Sequence, residues 1–137
     1  ARDMEKVVVE IGFVGGQYSA HLPELPGCIT VGSSIKEIED NIAELVPFHI
    51  DGQREAKGEV AAVFDGEYTF TYKLSVEALL NYYSGIFTKA ALSRITGINE
   101  RQLWHYAAGL RNPRPAQRKR IEDGLHKLGQ ELTSLVL

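Results

Sequence analysis

Arg101, Gln102 and His105 are the polar residues whose spacing says most about chemistry, because of where they fall in residues 88–113, TKAALSRITGINERQLWHYAAGLRNP. A helix that begins after Asn99 turns Leu103 and Tyr106 inward, three residues apart. Glu100, Arg101, Gln102 and His105 are then left facing outward or crowding the helix's first turn. Those types suit the edges of nucleic-acid bases. A guanidinium pairs with both acceptors of guanine, and a carboxamide with the donor and acceptor of adenine. Arg101 and Gln102 are therefore expected to reach base edges, with Glu100 and His105 on the same exposed helix end.

Two short helices have to position that face, and the surrounding residues specify both. Thr88 is suited to cap the first helix, Leu92 to line its inner face, and Ser93 is small where the helices approach. Gly97 falls at the turn, where a positive φ is expected; Ile98 follows as a core plug, and Asn99 caps the second helix. Gly109 ends that helix and Pro113 prevents its resumption. The series Ser93, Gly97, Leu103, Tyr106 resembles the helix-turn-helix of the Cro and phage-repressor class, which implies operator DNA as the ligand. Lys89 and Asn99, each at a helix start, are expected to favour phosphates. Arg111 and Arg114 are assigned to the same role, at the head of a basic cluster that continues with Arg118, Lys119 and Arg120. An ordinary helical hairpin in a core or a partner-binding module is the competing reading. Trp104 is expected to pack between helices or subunits rather than to read DNA.

The charge distribution divides the chain. Residues 1–72 hold five Lys and Arg against thirteen Asp and Glu, a net of −8; residues 73–137 hold ten against five, a net of +5. A whole-chain charge of −3 hides a basic half joined to an acidic one. The 137 residues leave room for two small domains, 4–72 and 73–137, and a hydrophobic content of 44% is that of a folded chain. Ala1, Arg2 and Asp3 precede the one methionine, Met4, and are set aside from fold reasoning. Cys28 is alone, so no internal disulfide and no cysteine-based metal site are expected, and the residue is read as small and buried. No apolar run approaches a membrane span and no signal-peptide pattern opens the sequence, so a cytoplasmic location without membrane contact is expected.

The acidic half alternates as strands do. Val7, Val9, Ile11 and Phe13 share a face, Gly15-Gly16 makes a tight turn, and Tyr18, Ala20 and Leu22 return. Pro23–Cys28 is too proline-rich for a central strand and is expected to form a shaped loop before a short strand at Ile29 and Val31. Ser34 and Glu37 form a capping box opening a helix striped by Ile35, Ile38, Ile42 and Leu45, which Pro47 should kink or end. Val60–Phe64 and Tyr68–Tyr72 read as two strands joined by an Asp65-Gly66 turn. The expected class is α+β: a small antiparallel-rich sheet with one packed helix, followed by an all-α helix-turn-helix domain.

Within that first half, Tyr18-Ser19-Ala20, Pro23-Glu24-Leu25-Pro26-Gly27-Cys28, Thr30, Gly32 and Ser34 followed by Glu37 resemble the signature of HicB antitoxins. The resemblance covers essentially the whole chain, because a helix-turn-helix tail is one of that family's second domains. It implies a partial, degenerate RNase H-like first domain and a partner, a HicA-type toxin, which is a small RNA-cleaving protein. It also implies that the antitoxin masks the toxin and that the pair represses its own operon. An RNA-handling toxin is basic, and an acidic first domain complements such a surface. Glu37, Glu39, Asp40, Glu44, Asp51, Glu55 and Glu59 are candidates for that face, although each also suits a solubilising surface, and toxin-contact residues stay unassigned.

Catalysis is not expected. A metal-dependent nuclease needs carboxylates converging on divalent ions, and only Glu10 and Asp51 could be put forward. His21, His49, His105 and His126 show no metal-ligand spacing, no G-x-S-x-G elbow or phosphate-binding loop is present, and no cofactor or metal is implied. A repressor whose first domain senses a small ligand is the alternative function. Val76, Leu79, Leu80 and Tyr83 are expected to supply the second domain's first helix. Ile121, Leu125, Leu128 and Leu132 make a clean helical stripe, with Leu135 and Leu137 beyond, which suits packing on the helix-turn-helix and a homodimer or higher homo-oligomer.

Overall fold

Alternation in β1 (Glu5–Val14) buries Val7, Val9 and Ile11, with Phe13 half-buried on the same face. Gly15 and Gly16 have φ of 61° and 80°, so the chain reverses in two residues with both central positions left-handed, and β2 (Gln17–His21) pairs antiparallel to β1. The structure, a computed structural model, describes residues 4–137; Ala1, Arg2 and Asp3 lie outside the described residues.

The loop that follows drives Leu22, Leu25 and Cys28 inward through two successive turns, Leu25 N–H to Leu22 O and Cys28 N–H to Leu25 O, both 3.1 Å. Gly27 has φ 89°, and the Pro26 carbonyl beside it accepts a hydrogen bond from His49 Nε2 at 3.1 Å. A carbonyl can only accept, so Nε2 carries the proton. Burial pushes the Cys28 thiol above its ordinary pKa. β3 (Ile29–Gly32) then pairs antiparallel to β2.

α1 (Ile35–Glu55) opens at the expected Ser34 cap, whose Oγ accepts from Glu37 N–H at 3.1 Å, but Glu37 Oε2 reaches one residue further back than a capping box and accepts from Ser33 N–H and Ser33 Oγ at 3.0 and 2.8 Å. Its buried stripe is Ile35, Ile38, Ile42, Val46 and Ile50, with Leu45 half-buried. Each fully buried aliphatic side chain contributes roughly 1.5–3 kcal/mol of transfer free energy. Asn41 Nδ2 donates to Thr30 Oγ1 at 3.0 Å and ties the helix to β3. Pro47 does not end this helix. Pro47 and Ala43, whose carbonyl loses its amide partner, are both exposed, so the missing bond does not leave a buried polar group. Val46 and Ile50 meanwhile keep the stripe buried on either side of it.

Val60–Phe64 is not a strand. Gly66 is extended, with φ −116°, so Asp65-Gly66 makes no hairpin turn, and Ala62–Asp65 forms a 3-10 turn. Phe64 is buried against Tyr68, ring centroids 5.1 Å apart, and Arg54 donates to Asp65 Oδ1 at 3.0 Å. Burial of Phe64 against Tyr68, with its carbonyl bonded to Arg54 at the end of α1, therefore overrides its strand propensity. β4 (Tyr68–Leu74) lies parallel to β1, giving a sheet of order β3-β2-β1-β4.

The chain divides into two compact units after Ser75, not after Tyr72. Leu74 is still paired with Ile11, and Ser75 N–H donates to Ile11 O at 2.8 Å, so a boundary at 72 would cut the strand. The second unit is all-α: α2 (Val76–Tyr82), a 3-10 turn at Tyr83–Gly85, α3 (Lys89–Thr96), α4 (Glu100–Ala107) and α5 (Pro115–Thr133). Val76, Leu80, Leu92, Ile98, Leu103, Tyr106 and Ile121 form its core. The fold class is thus α+β, and no described helix is long and apolar enough to cross a membrane.

The Ser33 hydrogen bonds hold the Glu37 carboxyl below its ordinary pKa in the folded chain. A depressed carboxylate pKa adds stability that is full above the unfolded pKa and is lost as pH falls through the folded value. Glu37→Gln should therefore lower the urea midpoint of unfolding at neutral pH and match the wild type in strong acid, as read from urea melts across that range.

Candidate nucleic-acid interface

The α3–α4 pair is built by its caps. Thr88 Oγ1 accepts from Ala91 N–H at 3.0 Å to start α3. Gly97 ends it in the left-handed region, φ 74° and ψ 11°, and its N–H donates to Ser93 O at 2.8 Å. The next residue, Ile98, is 2% exposed in the core, and Asn99 Oδ1 accepts from Arg101 N–H at 2.8 Å to start α4. Thr96 adds two bonds that no local sequence pattern marks: its hydroxyl donates to Leu92 O at 2.7 Å and accepts from Ile98 N–H at 3.2 Å. At the far end, Gly109 has φ 74°, and Asn81 Nδ2 donates to both Glu77 O and Ala107 O, at 2.8 and 3.0 Å, fastening α2 to the end of α4.

Leu103 and Tyr106 are buried, as their spacing predicts. On the outer side an open groove of about 460 Å3 is lined by Asn99, Arg101, Gln102, His105 and Arg111, five of the expected residues. Gly97 and Ile98 of the turn and Gln117 and Arg120 of α5 complete it. Arg120 is oriented by two hydrogen bonds, to Gly97 O and to Gln117 Oε1, both 3.1 Å. Nothing in the sequence of the basic run marks Arg120 out, because only the folded chain shows which of five neighbouring cations turns toward the α3–α4 turn. Lys119, by contrast, pairs with Asp123 on its own helix at 3.5 Å.

Three expected residues do not line the groove. Glu100 and Arg114 are exposed elsewhere, the latter at the position before α5. Lys89 is 9% exposed, with its ammonium 4.7 Å from the Trp104 ring centroid. Trp104 itself is not packed between the helices of the unit; it is 57% exposed, with Lys89 against its face.

No protein-family model, curated protein or solved structure matches the chain.

Among the described residues no three or more His, Cys, Asp or Glu side chains gather into a metal-binding group. Glu10 pairs with His21 Nε2 across β1 and β2 at 3.2 Å. Its strand position alternates with the buried Val9 and Ile11, so it lies on the sheet face away from α1, which carries Asp51. The two carboxylates put forward for a nuclease therefore do not converge.

α5 packs on α3 at a point the sequence did not mark. A Cβ on Gly124 would lie 2.7 Å from the Ile95 carbonyl oxygen, so only glycine allows the two helices this approach. Along α5 the apolar stripe emerges from cover: Ile121 is buried, Leu125 and Leu128 are half-buried and Leu132 is 56% exposed, while Leu135, just beyond the helix, is 66% exposed. Gly124→Ala gains up to about 1 kcal/mol of helix propensity but forces a backbone clash costing roughly 1–3 kcal/mol. A lowered melting temperature of the second unit is expected by calorimetry, and a raised one would mean that α5 does not pack this closely.

Proposed function

We propose that this chain is an antitoxin of the HicB type, acting in the cytoplasm as a repressor of its own operon. In this reading α4 enters the major groove of operator DNA, and the first unit binds and neutralises a HicA-type, RNA-cleaving toxin. The observation that carries it is the capped α3–turn–α4 pair, which leaves Arg101, Gln102 and His105 on one groove with Arg111 and Arg120. Charge supports the division of labour. Counted at the structural boundary, the first unit holds six Lys and Arg against thirteen Asp and Glu, a net of −7, and the second holds nine against five, a net of +4.

One α4 reads too few base pairs to be selective, and Leu132 on α5, with Leu135 and Leu137 just beyond it, supplies exposed apolar surface for a second copy. Two copies related by a two-fold axis would contact half-sites about 34 Å apart or a multiple of that. No catalytic role, metal or cofactor is part of this proposal.

Selection of bound sequences from a randomised DNA pool is the direct test, and a two-fold symmetric site is expected. Arg101→Ala should weaken binding by roughly 1–3 kcal/mol and relax the preference at one base pair of each half-site. Equal weakening on every sequence would instead make Arg101 a phosphate contact. Co-purification with a small, basic, RNA-cleaving protein encoded beside this gene is expected for the first unit's role. DNA binding without such a partner would favour a ligand-sensing repressor.

A further inference from the structure

We propose that Tyr106 is a positioning residue, which holds the carboxamide of Gln102 in the orientation that reads adenine. This rests on α4 being the helix that faces DNA.

Gln102 and Tyr106 lie one turn apart on α4, and Gln102 Nε2 donates to the Tyr106 hydroxyl at 2.9 Å. Their surroundings differ. Tyr106 is 2% exposed, with its ring in the core among Leu80, Leu92 and Leu103, so its hydroxyl is a fixed point. Gln102 is half-buried and borders the groove that Arg101 and His105 also line. A glutamine on an exposed helix face has a carboxamide free to turn, and it loses that freedom when it meets a base. Here the freedom is lost on folding, through a bond to a ring that the core holds still.

The orientation has a chemical consequence. One hydrogen of Nε2 goes to the phenol, which leaves Oε1 as an acceptor and the second hydrogen as a donor. Acceptor beside donor matches the N6 and N7 edge of adenine in the major groove. The flipped carboxamide would also bond the phenol, accepting from its O–H, and would turn Nε2 outward toward the two acceptors of guanine. The base selected therefore reports which way the amide is held.

The experiment uses the full-length protein with a randomised DNA pool, followed by affinities for the selected site and its single-base variants. Wild type should select adenine at a position where Gln102→Ala loses preference by about 5- to 150-fold, the range of one bidentate contact. Tyr106→Phe keeps the buried ring and removes only the hydroxyl. It should cut the adenine preference by roughly three- to tenfold, the worth of one neutral hydrogen bond. Slopes of affinity against salt should not change, because no phosphate contact is lost. In the Gln102→Ala background Tyr106→Phe should have no further effect on base preference.

Guanine at the Gln102-dependent position would overturn the orientation. Full adenine preference in Tyr106→Phe would overturn the positioning role, as would equal weakening on all sequences that persists in the Gln102→Ala background. A wild-type protein that selects no sequence, or one whose selected sequence is indifferent to both Arg101 and Gln102, would overturn α4 as the reading helix and this inference with it. Thermal melts of each variant separate these outcomes from loss of fold.

Discussion

The second unit depends on the three residues between α3 and α4. Gly97 takes a left-handed conformation that a side chain would strain, and this turns the chain sharply enough to send Ile98 straight into the core. With Ile98 anchored, Asn99 stands at the start of α4 with its oxygen on the Arg101 amide. The direction of α4 follows from that anchoring, and with it the placement of Arg101, Gln102 and His105. Thr96 braces the turn from inside and Arg120 from outside, one through its hydroxyl and the other through the Gly97 carbonyl. A polar face on eight residues of helix would be too mobile to select anything if the turn beneath it were loose.

The first unit solves a different problem. Its sheet packs α1 against one face, and a proline-rich loop plugs Leu22, Leu25 and Cys28 into the same core. Helix and loop hold one another through His49 and the Pro26 carbonyl. The parallel placement of β4 beside β1 needs a crossover, which α1 and the Ala62–Asp65 turn supply. Most acidic residues of the chain sit on this unit, and its described carboxylates are spread over β1, the proline-rich loop, α1 and the segment after it rather than gathered around a point.

How much of this was legible in the sequence depended on range. Local rules carried far: Gly15-Gly16 as a hairpin, Ser34 with Glu37 as a cap, and Gly97 with Asn99 as the helix junction all concern residues within four positions of one another. What was missed needed distant partners. Val60–Phe64 reads as a strand until Phe64 finds Tyr68 and Arg54 at the end of α1, and whether Pro47 kinks or ends its helix is open until Val46 and Ile50 are seen buried on either side of it. The boundary lies three residues beyond Tyr72 because Leu74 belongs to a strand paired with Ile11, sixty-three positions away. At the groove, the outward set on α4 was read from periodicity alone. The cover over Lys89, the turn of Arg120 toward Gly97 and the close approach at Gly124 belong to contacts between helices, which periodicity does not encode.

The single thiol has a consequence of its own. Cys28 is 3% exposed inside the first unit, and its raised pKa leaves little of the reactive thiolate. With no second cysteine in the chain, a thiol reagent can label the protein only when the first unit opens. Labelling kinetics thus time the opening of the sheet domain alone. Fluorescence of Trp104, the one tryptophan, lies in the other unit and follows the helices. Two natural probes, one in each unit, let the stability of each half be read separately in the intact chain.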